Sequence, residues 1–344
     1  MKRAVAVLVA VGLVAGAVLV RRALTDDGAS AGKDLELVCG SELAAACSGF
    51  AGADGIRVVV EDEAVTAGRL VEGELVLDRA VWLAAAPWPA MAAAGADSQG
   101  VELPDLAGST VLGESPAVIV ARTDRMEAIT AACGTPTWAC IGEQAGGPWT
   151  ALGGETAWGR VEVALPDAGT GAGAVAINQG VASRIGRTDF AINDLDDEPA
   201  DAAWFDRLAS ESSANQRDDL TPLQQFLRVP GSLGVVGSLG AEADTELTGV
   251  SNAEAFETVV PEPSSTAQVR LWAADPDALA DAIERLDPAR LSTLLSDSGW
   301  EATGAATSTG PGTMVSDDRG PYPDAGLPNA GVMSAVITRW ENVR

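Results

Sequence analysis

The chain opens with seventeen consecutive residues that carry no polar side chain, Ala4 to Val20, set behind Met1-Lys2-Arg3. A run of that length suits an export signal and sits at the short limit for a bilayer-spanning helix, which needs ~17–25 residues. Ala15-Gly16-Ala17 has the look of a cleavage site, yet cutting there would leave Val18-Leu19-Val20-Arg21-Arg22 at the new terminus. Arg21 and Arg22 are better placed to snorkel at a membrane face. The pattern therefore predicts an uncleaved hydrophobic helix over 1–23, with a cleaved signal peptide as the alternative, and a polar linker over 24–33. No cysteine follows the run closely, which argues against a lipidated N-terminus.

Past the linker, short apolar runs alternate with stretches of helical spacing. Leu35 to Cys39 reads as a strand, ended by Gly40-Ser41, with a helix from Glu42 to Cys47 and Ser41 as its N-cap. Ile56 to Val60 is β-branched, the segment after Glu63 is helical, and Ala80 to Ala84 is a third strand. Ser115 to Ala121 is a fourth, leading into a helix near Asp124. The plan then repeats. Arg160 to Leu165 predicts a strand, 166–173 a glycine-rich turn, and Ala174 to Ile185 a helix. Helices follow over 202–212 and 222–228, a strand over 233–238, two strands between Phe256 and Ala273, and a helical pair at 277–286 and 289–295. The stretch 302–329, rich in Gly, Pro, Ser and Thr, predicts loop. Strands joined by helices imply an α/β fold with mainly parallel sheets covered on both faces.

Charge narrows the partners. With 22 Lys+Arg against 49 Asp+Glu the formal net charge is -27, which repels nucleic acid and anionic lipid surfaces. The acidic clusters Glu61-Asp62-Glu63 and 194–198 lack the spacing of a calcium loop and read as solvated turns. There is no histidine in 344 residues, which removes the usual general base, the Ser-His and Cys-His pairs and the commonest zinc ligand. Carboxylate-only chemistry survives that exclusion, but no spacing points to it, so the chain reads as a non-enzyme with no metal or cofactor. Cys39, Cys47, Cys133 and Cys140 fall into two close pairs that an oxidising compartment would let close. Four cysteines still allow three connectivities.

Several segments together resemble one family. VCGSELAAAC, VWLAAAPWPAM, SPAVIVA, LPDAGTGAGAVAI, LGVVGSLGAEA, AQVRLWAA and LLSDSGWEA follow the order of landmarks in type II periplasmic binding proteins, the solute-binding components of ABC transporters. The likeness is to the extracellular solute-binding branch, distantly to the molybdate-type proteins, and to actinobacterial members without an assigned ligand. The loop after Gly237 lacks the Tyr and Asp often seen in the molybdate branch.

The resemblance implies two lobes, each a mainly parallel sheet flanked by helices. Lobe 1 would span 34–114 and return over 246–301, lobe 2 would span 115–245, and a loop-rich tail would occupy 302–344. A cleft between the lobes would bind a small molecule or oxyanion, with helix N-termini supplying N–H groups. Ser41, Ser115, Thr170 and Ser238 would stand at its edge, and Gly169, Gly171 and Gly173 would let the backbone approach a ligand. Trp88 would stack on an organic solute or seal the lobe. The implied function is an extracytoplasmic, membrane-tethered solute-binding protein serving an ABC permease or a sensor. The alternative is an envelope interaction module that has lost its ligand.

Overall fold

The computed structural model describes residues 34–303 and 323–343, apart from the single residues 54, 78, 86, 102, 104, 218 and 230. The apolar run at 4–20, the linker at 24–33 and most of the stretch 302–329 lie outside the described residues. Among the described residues no helix is long and apolar enough to cross a membrane.

The first strands are short, and β3 is apolar throughout. β1 (Leu35–Cys39) is followed by a 3-10 turn (Ser41–Leu43) and α1 (Ala44–Ser48), β2 (Ile56–Val60) by α2 (Glu63–Val71), and β3 (Ala80–Ala85) by α3 (Trp88–Ser98). β1 lies between β2 and β3, parallel to both, with Leu37 opposite Val58 and Val81. Parallel neighbours require crossover connections, which the intervening helical segments supply. All six β3 residues are buried.

The chain continues through β4 (Ala107–Gly108), β5 (Gly113–Arg122), α4 (Thr123–Cys133), α5 (Trp138–Gln144) and β6 (Val163–Ala164). Four helices follow: α6 (Gly171–Ile185), α7 (Asp194–Asp197), α8 (Pro199–Asn215) and α9 (Pro222–Arg228). Then come β7 (Val235–Leu239), α10 (Gly240–Thr248), β8 (Phe256–Val259), β9 (Thr266–Ala273), α11 (Pro276–Leu286), α12 (Pro288–Asp297), β10 (Glu301–Ala302) and α13 (Ala330–Val343).

The ladder runs β2-β1-β3-β9-β5-β7-β6, with β4 against β9 and with β8 and β10 against β5. β5 holds it together by changing partners midway. Residues 113–116 pair with β9, and 117–122 pair with β7 and β8. Pro116, which has no N–H to donate, stands at the change. The structure thus has two half-sheets, β2-β1-β3-β9 and β8-β5-β7-β6, sharing one strand. They are mixed rather than mainly parallel, because β9 is antiparallel to β3 and to β5, and β5 is antiparallel to β7. Apolar runs buried on both faces do not encode strand direction, which is why the sequence pattern missed this.

α6 is hydrophobic around its circumference, and its residues 171–182 are all buried. It begins three residues before the expected start, because the Thr170 hydroxyl accepts the Gly173 N–H at 3.0 Å and caps it. The strand expected over 160–165 shrinks to β6, with Arg160 in an isolated bridge to Pro148. Ser41 does not cap a helix. Gly40 occupies that position without a side-chain bond.

The expectation that 302–344 is loop-rich fails at its end, where α13 spans fourteen residues. Met333, Val336, Ile337 and Trp340 are buried along one face against α3, α6 and α8, and the Phe205 and Trp340 rings meet edge-on at 5.5 Å. Asn329 caps this helix, its side chain accepting the Val332 N–H at 3.0 Å. The disulfides close as the two near pairs, Cys39–Cys47 and Cys133–Cys140.

Candidate binding cleft

A cleft of about 710 Å³ opens between the two half-sheets. One wall carries Ser41, Glu42, Ala44, Ala45 and Asp62, which follow β1 and β2, with Ser298 and Trp300 from the end of α12. The opposite wall carries Asp167 and Thr170 ahead of α6, Arg217, Asp219, Thr221 and Gln224 around the start of α9, Leu239 at the end of β7, and Ala241, Glu242, Thr245 and Glu246 along α10. Ser41 and Glu42 after β1, Asp62 after β2 and Asp167 and Thr170 after β6 follow the C-terminal ends of parallel strands, where loops leave a crevice in open α/β sheets.

The cleft is acidic. Glu42, Asp62, Asp167, Asp219, Glu242 and Glu246 line it against Arg217, whose guanidinium is 3.4 Å from Asp219. The Glu242 carboxylate accepts hydrogen bonds from the Ser238 hydroxyl at 2.5 Å and from the Thr221 hydroxyl. Burial pushes the Glu242 carboxyl above its ordinary value, the Ser238 and Thr221 donors pull it back, and nearby Glu246 raises it.

At the edge of the cleft, Glu63 meets Glu42. Glu63 is the first residue of α2 and is fully buried, and its Oε2 accepts the Gly171 N–H at 3.0 Å. Oε1 of Glu63 and Oε1 of Glu42 are sealed from solvent and receive no N–H or O–H donor from elsewhere in the described protein. The two carboxyls converge on Gly171, Glu63 Oε2 at its N–H and Glu42 Oε1 where its Cβ would stand. Glu63 is held well above the ordinary carboxylate value, by burial first and then by the charge of Glu42. Burial raises Glu42 as well, against the hydrogen bond from Glu63.

The structure distributes the expected site residues unevenly. Ser41 and Thr170 line the cleft from opposite walls. The Thr170 hydroxyl is already engaged, donating to the Asp167 carbonyl at 2.8 Å while accepting from Gly173. Ser238 is fully buried and holds Glu242 in place. Ser115 is also buried and reaches from β5 to accept the Ala241 N–H at 2.9 Å, fixing the start of α10. Trp88 lies elsewhere, buried at the start of α3 in a groove with Ala64, Ala67, Met91 and Ile337.

Gly171 admits its own chain rather than a ligand. A Cβ there would come within 2.0 Å of Glu42 Oε1 and 2.7 Å of the Ala85 carbonyl oxygen. The N–H groups expected to hold an anion are likewise occupied internally, those of Gly171 and Gly173 on α6 by Glu63 and Thr170 and that of Ala241 on α10 by Ser115. An oxyanion would also meet the carboxylate wall. The pattern of hydrophobic and polar positions missed Glu42, Glu63 and Glu242. Glu61-Asp62-Glu63, read as a solvated turn, has its third member fully buried. The available signal was Gly40, where a Cβ would approach Glu63 Oε1 to 2.0 Å.

Neither a family model nor a curated protein matches the sequence. Solved structures do match in fold. The periplasmic binding protein AfuA of Actinobacillus pleuropneumoniae, with fructose-6-phosphate bound, superposes with a TM-score of 0.53 at 12% identity, over 91% of this chain and 98% of that one. FutA2 of Synechocystis gives 0.52 at 10% identity over 91% and 98%. The ferric binding protein of Campylobacter jejuni gives 0.51 at 9% identity over 90% and 98%. The chain has the fold of the type II periplasmic binding proteins.

Proposed function

We propose that this chain is an extracytoplasmic solute-binding protein that captures a small polar solute in the cleft between its half-sheets. The observation that carries the reading is the cleft itself, about 710 Å³ and walled from both halves, in a fold used for periplasmic solute binding. That volume is within the range of small-molecule sites. The acidic lining supports a neutral or cationic solute over an oxyanion.

The two half-sheets act as the two lobes in this reading. The chain crosses from lobe 1 to lobe 2 at Pro116 and returns over 260–265, later than the expected 246, because β8 pairs with the second half of β5. Ser41 and Thr170 contact the solute from opposite walls, and Ser115, Ser238 and Gly171 shape the site from behind. The Ala4 to Val20 run tethers the protein, its disulfides form in an oxidising compartment, and an ABC permease or another envelope protein is its partner.

A ligand that binds only the folded protein raises its melting temperature by mass action, by the equivalent of about 2.7 kcal/mol at a hundred times Kd. A thermal-shift screen of the chain from Lys33 onward, against polyols, amino acids, amines, oxyanions and short peptides, tests the reading. A shift with a neutral or cationic solute is the expected result. One observation favours the interaction-module alternative: Glu42 and Glu63 fill the space ahead of α6 where a ligand would otherwise meet its N-terminus. A flat screen of folded protein supports that alternative.

A further inference from the structure

We propose that Glu42 and Glu63 form a proton-held latch across the edge of the cleft: one proton shared between the two carboxyls keeps the half-sheets joined as seen here, and its loss releases α6 from α2. The latch stands on contacts within the protein, whether or not a solute fills the cleft.

Two hydrogen bonds span this edge. The Gly171 N–H donates to Glu63 Oε2 at 3.0 Å, and the Ala64 N–H donates to the Gly169 carbonyl at 2.9 Å. Both join the start of α2 to the turn that opens α6. Behind them the two Oε1 atoms are sealed and receive no donor from the described protein, so a proton between the carboxyls would supply the donor that the site lacks.

The surroundings offer the pair no substitute charge. Asp62 stands beside Glu42 and adds to the repulsion. Asp167 precedes α6, and Glu61 is paired with Arg69 at 2.6 Å. β3 contributes no charged residue, α6 carries none before Arg184, and the one carboxylate of α3, Asp97, is near its far end. Glu63 is fully buried and Glu42 half-buried at the cleft wall, so two adjacent anions are unfavourable in such a place, and parting the halves lets water reach Glu63. Glu42 Oε1 and Glu63 Oε1 lie 2.0 Å from where a Cβ would stand on Gly171 and on Gly40, so both carboxyls pack against glycine backbone.

Hydrogen exchange at the Ala64 and Gly171 amides of the full chain, expressed as protection relative to an unstructured chain, reads the latch directly. One-proton linkage predicts that protection falls about tenfold per pH unit once the pH passes the titration of the pair. In Glu63→Gln or Glu42→Gln the side-chain amide supplies a permanent donor, so protection stays level. Level wild-type protection from about pH 5 to about pH 9 overturns the proposal. So does the wild-type slope persisting in either folded Gln variant.

Discussion

At the scale of single residues, most of what shapes the cleft is internal hydrogen bonding. Gly171 is tightly held, because a methyl group there meets the Ala85 carbonyl, which is backbone and moves only with β3. Gly171→Ala is expected to cost about 1–3 kcal/mol by overpacking, read as a lower urea midpoint with an unchanged slope. Glu63 adds a pH dependence. Its native carboxyl holds a proton more tightly than in the unfolded chain, so the stability from this group is whole below its ordinary value of 4.5 and is lost as the pH rises through its higher native value. Within that window the wild type should lose about 1.4 kcal/mol per pH unit relative to Glu63→Gln. Parallel stability curves for the two proteins would show that the pair is not protonated.

At the scale of elements, the C-terminal helix matters more than its position in the chain implies. Trp340 is buried at 1% exposure between α13 and Phe205. Trp340→Ala should destabilise by about 3–5 kcal/mol, measurable by chemical denaturation. The disulfides close loops of sequence separation 8 and 7, each worth about 2.5 kcal/mol in the chain-entropy account. Replacing Cys133 and Cys140 together by Ser should lower stability by about that amount while leaving the cleft, which neither residue lines, unaffected.

The elements were legible in the sequence to different degrees. β1, β2, β3 and β5 stood out as short runs dominated by apolar residues, and α9 was bounded by Pro222 and Arg228 as expected. α3 was not drawn from the pattern, although Pro89 stands in its first turn, where Pro is tolerated. α13 was lost beneath the composition of the segment before it, despite Asn329 in the capping position and apolar residues at helical spacing. Of the serines expected at the edge of the cleft, Ser41 lines it, whereas Ser115 and Ser238 are buried within β5 and β7. Their roles were not legible, because whether a hydroxyl faces solvent or a buried carboxylate depends on partners over a hundred residues away, as Ser115 and Ala241 show.

At the scale of the molecule, β5 is shared by both half-sheets and the cleft lies between them, so a solute touching both walls would bridge the two halves. Ala45 lines the cleft and is exposed, so a large side chain there fills the cleft without disturbing the core. The most direct measurement is isothermal titration of the most stabilising solute from the thermal-shift panel into the wild type and Ala45→Trp. One-to-one binding by the wild type, weakened about a hundredfold in the variant (about 2.7 kcal/mol), is the predicted result. Equal affinity in the two proteins, or no binding by any member of the panel, would contradict a solute site between the half-sheets.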